Sequence, residues 1–382
     1  MTGPRSYCDW NATAPILPDV AAAVTAALGL ANPSSVHAEG RAARAAVEAA
    51  RADVAALAGV APSQVVFTSG GTEAAATALR PVSEDEVLFV GAAEHPCVRA
   101  GGGFAPDRIV VVPVDAEGRV DLAELAIAVG ARGLPPGLVH VAIQAANNET
   151  GVINPADSIA RCREAGWTVT VDAVQAAGRL PLAPYAAVAD ALILSAHKIG
   201  GPKGVGALIQ RQDACGAVRP LIRGGGQERG LRSGTENVPG IVGFGVAARH
   251  ARMAVERAGA VRLIRDHFER RLAEIAPESV VFSASAERIC NTSLFAVDGL
   301  KAQTALIAFD LDQIAVSSGA ACSSGKVAAS PVLGAMGVSA ERAASAIRVS
   351  FGPGSTIGDA DRVIHSLERQ LARLRTRRPT AA

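Results

Sequence analysis

One lysine in this chain closely follows a strongly apolar run, and its amine is a candidate nucleophile. Lys198 stands in the stretch SAHKIGGPKG, directly after the run DALIL. Lysine occurs only at positions 198, 203, 301 and 326, although the chain has 37 basic residues, so amines that can lose a proton are scarce. An amine desolvated at the end of a buried strand would attack a carbonyl group, whereas a surface lysine is the simpler interpretation.

An acid, two amides and an imidazole follow other apolar runs in the same way. Asp172 and Gln175 follow WTVTV, Asn148 follows LVHVAIQ, and His95 follows EVLFV. A carboxylate at the end of a buried strand is costly unless a cation pairs with it, and a cationic ring nitrogen would do so as well as an arginine. Asp172 could equally cap a helix, and a single histidine such as His95 is usually only hydrogen-bonded.

A glycine-rich turn follows a further apolar run, QVVFT. The next residues, SGGTEAAATAL, place Gly71 and Thr72 at the start of a predicted helix. Free backbone N–H groups and the positive end of the helix dipole suit a phosphate at such a turn. An ordinary capped connection between a strand and a helix explains the same residues.

The elements that must position these residues are short apolar runs that alternate with helical stretches from residue 64 to about 210. The runs are QVVFT, EVLFV, RIVVVPV, LVHVAIQ, WTVTVD, DALILS and VGALIQ. Runs that are apolar throughout are typical of strands covered on both faces, and intervening helices make the sheet largely parallel. The sequence therefore predicts an α/β fold with its ligand site beyond the carboxyl ends of the strands.

A phosphate turn, an acid, an amine and an imidazole at one sheet edge are the groups that pyridoxal 5'-phosphate requires. A helix terminus binds its phosphate, a lysine binds its aldehyde, an acid keeps its ring nitrogen protonated, and a flat group covers its ring. Each of these residues alone has an ordinary structural explanation. Those separate explanations do not account for the presence of all four groups at the same edge of the predicted sheet, except as a coincidence. The sequence therefore predicts a pyridoxal-phosphate site.

The rest of the chain predicts further helices and a smaller domain. After an extended opening, NPSSVHAEGRAARAAVEAARADVAALAG predicts a capped amphipathic helix, and a charged helix over about 246–275 leads to a second unit. The stretches VVFSA, RICNTSLFAV and AIRVSFG predict strands there, and KAQTALIAFDL and DADRVIHSLERQLARLR predict helices. We expect a large domain over 15–250 and a small α+β domain over 251–382, which the segment 1–14 joins.

Composition argues against several classes of protein. A net charge of +1 and an aromatic content of 3% favour no nucleic-acid partner. Apolar runs end before the roughly 18 residues of a membrane span, and the N-terminus MTGPRSYCDW lacks a signal-peptide core, so we expect a cytoplasmic protein. The six cysteines show no CxxC spacing, which favours reduced thiols and gives no support for a metal site or a disulfide framework.

Seven motifs occur in the order SGGTE, EHPCV, NNETG, VDAVQAAG, SAHKIGGPKGVGAL, GGGQERGLRSGTENV and SSGAACSSG. In this order they closely resemble the cysteine desulfurases among the class V aminotransferase-like enzymes, and the resemblance extends from about Tyr7 to Gly352. It implies the aspartate aminotransferase-like fold of pyridoxal-phosphate-dependent transferases, known as fold type I. It also implies a homodimer that removes sulfur from L-cysteine.

The resemblance implies a role for each residue at the predicted sheet edge. Lys198 would bind the cofactor covalently and then remove and return the α-proton of the substrate. Asp172 would pair with the ring nitrogen of the cofactor, while Gln175 and Asn148 would hydrogen-bond its phenolic oxygen. His95 would stack on the ring and shuttle protons at the substrate sulfur.

The resemblance also implies ligands for the phosphate and for the substrate. The phosphate ligands would be Gly71, Thr72, Ser195 and His197, together with Thr235 of the other subunit. Arg348, in SAIRVSFG, would bind the substrate carboxylate through paired hydrogen bonds, which suit a guanidinium group. A solvent-facing arginine is the alternative, and the apolar surroundings of Arg348 disfavour it.

The stretch SSGAACSSGK, residues 317–326, places a lone cysteine among small residues. Such a segment is either a linker or the carrier of a thiol that must move. Under the resemblance, Cys322 takes the substrate sulfur as a persulfide and leaves L-alanine, and a mobile loop over about 317–336 carries that sulfur to an acceptor. Iron-sulfur scaffold proteins and carriers for tRNA thiolation are the implied acceptors.

The chain departs from the pattern of the cysteine desulfurases at a few positions. Ala196 replaces a usual glycine, Ala14 replaces a common threonine, and Ala321 directly precedes the cysteine. These departures remove no reacting group. A selenocysteine lyase on the same fold is the main alternative, and a catalytically inactive scaffold protein is another.

A nucleotide-binding protein is a further alternative, because GAACSSGK is similar to a phosphate-binding loop. Five residues rather than four separate Gly319 from Gly325, and Val327 stands where serine or threonine would bind magnesium. The sequence therefore disfavours that interpretation.

Overall fold

The N-terminal segment forms one short strand and two helices. The structure is a computed structural model that describes residues 5–211, 219–319 and 330–377. It begins with strand β1 (Ser6–Tyr7) and helices α1 (Pro18–Ala27) and α2 (Ala38–Ala58). The expectation of an extended opening is wrong for α1, which has a proline at its first position. Helix α2 begins later than predicted, at Ala38, and the ring of the preceding His37 caps it by accepting the backbone N–H of Gly40.

A central sheet contains the apolar runs that were predicted as strands. Its strands within the described residues are β2 (Val65–Thr68), β3 (Val87–Gly91), β4 (Ile109–Val112), β5 (Val139–Gln144), β6 (Thr168–Asp172), β7 (Ala191–Ser195) and β8 (Gly206–Gln210). Their order is β2-β8-β7-β6-β5-β3-β4; β8 pairs antiparallel with β2 and β7, and the other neighbouring strands pair in parallel. The prediction of an α/β fold with a largely parallel sheet is confirmed.

Helices cover both faces of this sheet. They are α3 (Gly71–Ala78), α4 (Pro96–Arg99), α5 (Leu122–Arg132), α6 (Ala156–Glu164), α7 (Ala183–Val188) and α8 (Val238–Glu256). Side chains of β3 alternate between two buried clusters, with Phe89 in one and Leu88 and Val90 in the other. Because both faces are covered, most of these strands are apolar along their length, although β6 alternates threonine with valine.

Two helices replace the single charged helix predicted over about 246–275. Helix α8 begins at Val238, and α9 covers Ala258–Ile275. Arg257 separates them with φ −98° and ψ 7°, outside the helical region. The start was predicted too late because the glycines of α8 suggested a loop, although Asn237 caps its N-terminus and accepts the backbone N–H of Gly240.

The remaining elements form a second, antiparallel sheet and its helices. The strands are β9 (Val280–Val281), β10 (Thr292–Ala296), β11 (Ile314–Ala315), β12 (Ser317–Ser318) and β13 (Ala346–Ser350). The helices are α10 (Ala302–Leu311), α11 (Pro331–Ala335), α12 (Ala340–Ala343) and α13 (Ile357–Arg377). The sheet order is β12-β13-β10-β9, while β11 pairs with β1 in parallel. The α+β pattern predicted for this part of the chain is confirmed.

A separate buried cluster stabilises this second unit. Phe268 of α9, Phe295 of β10 and Phe351 pack together, with ring centroids 5.5 Å and 6.2 Å from Phe268. Cys8 belongs to the same cluster, which supports the proposed joining of segment 1–14 to the small domain. The boundary between residues 250 and 251 stays a prediction.

Among the described residues, no helix is both long enough and apolar enough to cross a bilayer.

Candidate active site

A cavity of about 410 Å³ lies at the carboxyl ends of the parallel strands. β6 ends at Asp172 and β7 ends at Ser195, so both residues reach this edge of the sheet. The predicted site residues that line the cavity are Gly71, Thr72, His95, Asn148, Asp172, Gln175, Ser195, His197, Lys198 and Arg348. Thr235 lies elsewhere, and Cys322 lies outside the described residues.

The amine of Lys198 lies against the N-terminal segment. Its Nζ donates hydrogen bonds to the carbonyl of Asn11 at 2.6 Å and to that of Ala12 at 2.9 Å. Burial lowers the pKa of Lys198 to about 8, and the positive charges of Arg348 and Arg179 contribute to this shift. The amine therefore becomes neutral at a lower pH than an ordinary lysine, as a nucleophile or proton acceptor requires.

The carboxyl group of Asp172 stands at the cavity without a cationic partner. It accepts the backbone N–H of Val174 at 2.9 Å and forms no ion pair with another described residue. Burial raises the pKa of Asp172, although the Val174 hydrogen bond, His95 and Lys198 oppose the shift. A cationic group bound in the cavity would complete the environment of this carboxylate.

Two amide side chains face the same cavity. Nε2 of Gln175 donates to the carbonyl of Asn11 at 3.0 Å, whereas Oε1 of Gln175 is buried without a hydrogen-bond partner. Buried polar atoms almost always have a partner, so this oxygen indicates a donor that the polypeptide does not supply. The backbone of Asn148 is fixed through its carbonyl, which accepts from Asn11 and Arg348.

The ring of His95 is held by the helix that it caps. Nδ1 of His95 accepts the backbone N–H of Cys97 at 3.2 Å and lies 3.0 Å from the Cys97 sulfur. Burial and the Asp172 charge raise the pKa of Cys97 to about 12, so the thiol keeps its proton. With two donors at Nδ1, the neutral ring carries its proton on Nε2. Burial lowers the pKa of His95, which favours this neutral form.

The predicted phosphate ligands converge where α3 begins. Gly71, Thr72, Ser195 and His197 line both the main cavity and an open depression beside it. There is little spare room at position 71, because a Cβ there would lie 3.3 Å from the Val174 side chain and 3.4 Å from the Ser195 side chain. Burial and the charges of Lys198 and Lys203 lower the pKa of His197 to about 4, so this ring is neutral.

Arg348 lies on β13 and faces the cavity from the small domain. Its Nη2 pairs with Asp9 Oδ1 at 2.8 Å, and its Nη1 donates to the carbonyl of Asn148 at 2.8 Å. The remaining Nε is buried without a hydrogen-bond partner. Arg348 is therefore oriented by the protein and still has hydrogen-bonding capacity.

Thr235 lines a separate cavity of about 190 Å³. Ser69 and Gly204 border both this cavity and the depression beside the phosphate ligands. Thr235 therefore lies close to that depression and outside the main cavity of its own chain.

Sequence reasoning missed several polar residues of the site. Asn11 binds Lys198 and Gln175 through its carbonyl and receives a hydrogen bond on Oδ1 from Asn291. Asp9 orients Arg348. Both residues stand in the stretch CDWNATAP, where polar side chains alternate with apolar ones.

The comparisons with known proteins agree with this geometry. The family described as aminotransferase class-V matches residues 6–363. A curated cysteine desulfurase of Cereibacter sphaeroides is 40% identical, and the alignment covers 99% of this chain and 98% of that protein.

Solved structures give the same result. The X-ray structure of a NifS-like protein from Rickettsia africae is 33% identical with a TM-score of 0.87, covering 96% of this chain and 99% of that one. A structure described as SspA in complex with cysteine is 27% identical with a TM-score of 0.76, covering 92% of this chain and 100% of that one.

The fold and the full-length matches place the chain in the class V aminotransferase family. Within that family it belongs with the cysteine desulfurases.

Proposed function

We propose that this protein uses pyridoxal 5'-phosphate to convert L-cysteine to L-alanine, with transfer of the substrate sulfur to Cys322. One observation carries this proposal: a lysine with a lowered pKa, a half-buried carboxyl group without an ion pair and an oriented arginine line one cavity. The family to which the chain belongs and the names of its relatives support it.

The residues of the cavity fit pyridoxal phosphate. Asp172 lacks a cation, which a protonated ring nitrogen supplies, and Oε1 of Gln175 lacks a hydrogen-bond donor. The backbone N–H groups at the start of α3, with Ser195 and His197, offer donors to the phosphate. Asn148 is the second amide proposed to hydrogen-bond the cofactor. When bound, the pyridinium ring withdraws electrons from the α-carbon of the amino acid.

The residues of the chain then have distinct tasks. Lys198 binds the cofactor and, as a neutral amine, takes the α-proton of the substrate on Nζ and returns it to the product. Arg348 binds the substrate carboxylate. His95, with its proton on Nε2, donates and accepts a proton at the substrate sulfur.

The sulfur transfer balances without an external oxidant. The Cβ–S bond of L-cysteine breaks, an S–S bond forms at Cys322, and the carbon skeleton leaves as L-alanine after two protons are added. Gly319 lines the cavity three positions before Cys322. Cys322 itself lies outside the described residues, and its role as sulfur acceptor rests on its position in the motif SSGAACSSG, shortly after Gly319.

Further parts of the proposal concern assembly, location and acceptors. Thr235, in a cavity that borders the phosphate depression, is proposed to complete the phosphate site of the partner in a homodimer. We place the enzyme in the cytoplasm. The persulfide would pass to an iron-sulfur scaffold protein or to a carrier for tRNA thiolation.

Steady-state product analysis tests this function. The purified protein with bound cofactor is incubated with L-cysteine or with L-selenocysteine, and L-alanine is quantified. Alanine release from L-cysteine is the expected result. Release from L-selenocysteine alone would make the protein a selenocysteine lyase, and release from neither substrate would leave an inactive scaffold protein.

A further inference from the structure

A second cavity, of about 150 Å³, adjoins the candidate active site at Lys198. It lies between the large-domain cluster and the small-domain cluster, with walls from α8, the start of α9 and residues 351–353. Among the described residues, Lys198 is the only one that lines both cavities. The second cavity therefore contacts the lysine without belonging to the substrate site.

The charged groups of this second cavity are all basic. Lys198, Arg179 and Arg257 line it, and no aspartate or glutamate does so among the described residues. His250 also lines it and faces Asp19, at 3.1 Å, on the outer side. The cavity therefore has a positive potential without a compensating acid on its own walls.

Arg179 is a buried cation without a carboxylate partner. It is only 8% exposed, and its guanidinium donates to the carbonyl of Gln175 at 3.0 Å and to Oδ1 of Asn11 at 3.5 Å. It forms no ion pair with a described acid, and burial lowers its pKa to about 10. A buried charge that is not paired is costly, so an anion that fits the cavity would be favoured.

The remaining walls are mostly apolar. Trp10, Leu17, Val261 and Phe351 contribute large apolar side chains. A cavity of roughly this volume accommodates a ligand the size of benzene, that is, about six non-hydrogen atoms. A short aliphatic chain with one carboxylate group satisfies the charge, the size and the apolar surface together.

We propose that this cavity is a regulatory site for a small aliphatic monocarboxylate, whose carboxylate binds Arg179 and whose chain packs against the apolar walls. Arg179 contributes to the low pKa of Lys198. An anion bound at Arg179 offsets that positive charge, so more of the lysine stays protonated at neutral pH. This regulatory consequence rests on the proposed role of Lys198, whereas the binding site does not.

The binding test uses butyrate as the probe and the purified protein with its cofactor. Isothermal titration calorimetry is expected to show binding in roughly the millimolar range, as suits a small ligand. Butyramide, which has the same shape without the charge, is expected to bind at least about tenfold more weakly, since the charge pairing is lost.

Three variants and a competitor locate the site. Arg179→Gln removes the cation, and Ala254→Leu fills the cavity while keeping Arg179; both are expected to weaken butyrate binding at least about tenfold. Arg348→Gln and saturating L-alanine, which affect the substrate site, are expected to leave it unchanged. The absorbance of the bound cofactor shows whether each variant is correctly folded. If Arg179→Gln does not fold, Ala254→Leu alone tests whether butyrate binds in this cavity.

Several results would overturn this proposal. They are the absence of butyrate binding, unchanged binding in Ala254→Leu, and displacement of butyrate by L-alanine. Butyrate binding is measured without turnover. An absence of binding can therefore be distinguished from an absence of L-cysteine conversion, which would contradict the proposed function instead.

Discussion

The hydroxyl of Ser330 donates a hydrogen bond to Oε2 of Glu149 over 2.5 Å, in buried surroundings. Ser330 is the first described residue after the segment that contains Cys322, and it caps α11. Gly319 is the last described residue before that segment, and a Cβ there would lie 3.2 Å from the same Oε2. Glu149 therefore hydrogen-bonds Ser330 and lies beside Gly319, the two described residues that flank positions 320–329.

Replacing Glu149 by glutamine is expected to stabilise the protein most at alkaline pH. Burial raises the pKa of Glu149 from 4.5 to about 7. Because the folded protein binds this proton more tightly than the unfolded chain does, protonation of Glu149 contributes to the free energy of unfolding. This contribution is fully present below the unfolded-state pKa and is lost as the pH rises through 7. Glutamine does not titrate, so the advantage of Glu149→Gln over the parent should increase by up to about 3 kcal/mol from acid to alkaline pH. Urea unfolding at several pH values measures this.

Glu73→Gln is the matched control and should behave in the opposite way. Burial raises the pKa of Glu73, but hydrogen bonds from Arg232 and Ser69 outweigh that effect and lower it. The carboxylate of Glu73 therefore stabilises the protein above its unfolded-state pKa, and Glu73→Gln should destabilise it at neutral pH. An advantage of Glu149→Gln that does not change with pH would contradict the assigned titration.

Lys198→Ala is expected to lose the covalent link to pyridoxal phosphate. The amine of Lys198 lines the cavity and has a lowered pKa, whereas Lys203 is exposed and lines only the outer depression. Cysteine turnover should fall by a factor on the order of 100 or more, since nucleophile and proton acceptor are both lost. Borohydride reduction followed by peptide mass spectrometry identifies the linked residue. Lys203→Ala should keep the link, and a link that survives in Lys198→Ala would refute the assignment.

Cys322→Ser is expected to release no sulfide from L-cysteine under reducing conditions. Cys97→Ser is the control, because Cys97 lines the same cavity but burial and Asp172 raise its pKa to about 12. A thiol with that pKa is a poor nucleophile at neutral pH. Cys97→Ser should therefore keep most of the activity, as a sulfide assay can show. Sulfide release by Cys322→Ser at the parental rate would exclude Cys322 as the acceptor.

Asp9→Asn is expected to raise the KM for L-cysteine with a smaller effect on kcat. Asp9 pairs with Arg348 at 2.8 Å and so fixes the guanidinium that is proposed to bind the substrate carboxylate. Loss of a hydrogen bond to a charged group costs about 1.5–3 kcal/mol, so kcat/KM should fall roughly tenfold to a hundredfold in Arg348→Gln, and less in Asp9→Asn. Steady-state kinetics separate the two variants. An unchanged KM in both would remove Arg348 from substrate binding.

The central part of the site was predictable because parallel strands bring their carboxyl ends to one edge. Asp172 and Ser195 are the last residues of β6 and β7, and His95 closely follows β3. Local apolar runs therefore carried enough information to place distant residues together.

The contact between the N-terminal segment and β13 at the site was not predictable from local apolar runs. Asp9 and Arg348 are 339 positions apart, and their meeting depends on the pairing of β1 with β11 and the contact of Asp9 with Ser350. No local pattern encodes such a long-range register.

The start of α8 was missed for a different physical reason. Gly240, Gly243 and Gly245 suggested a loop, because glycine has a low intrinsic helix propensity. A Cβ at Gly245 would lie 2.7 Å from the Cα of Ala50 in α2, so this glycine allows the two helices to pack closely. Tertiary packing outweighs propensity at this position.

A single-turnover experiment tests the proposed sulfur transfer most directly. The protein with bound cofactor is mixed with one equivalent of L-cysteine without a reductant, alkylated, and digested for mass spectrometry, while L-alanine is quantified. The predicted result is one L-alanine formed for each sulfur atom added, with the added sulfur on the peptide that contains Cys322. Alanine formation with the sulfur on Cys97, or with no sulfur on any cysteine, would contradict it.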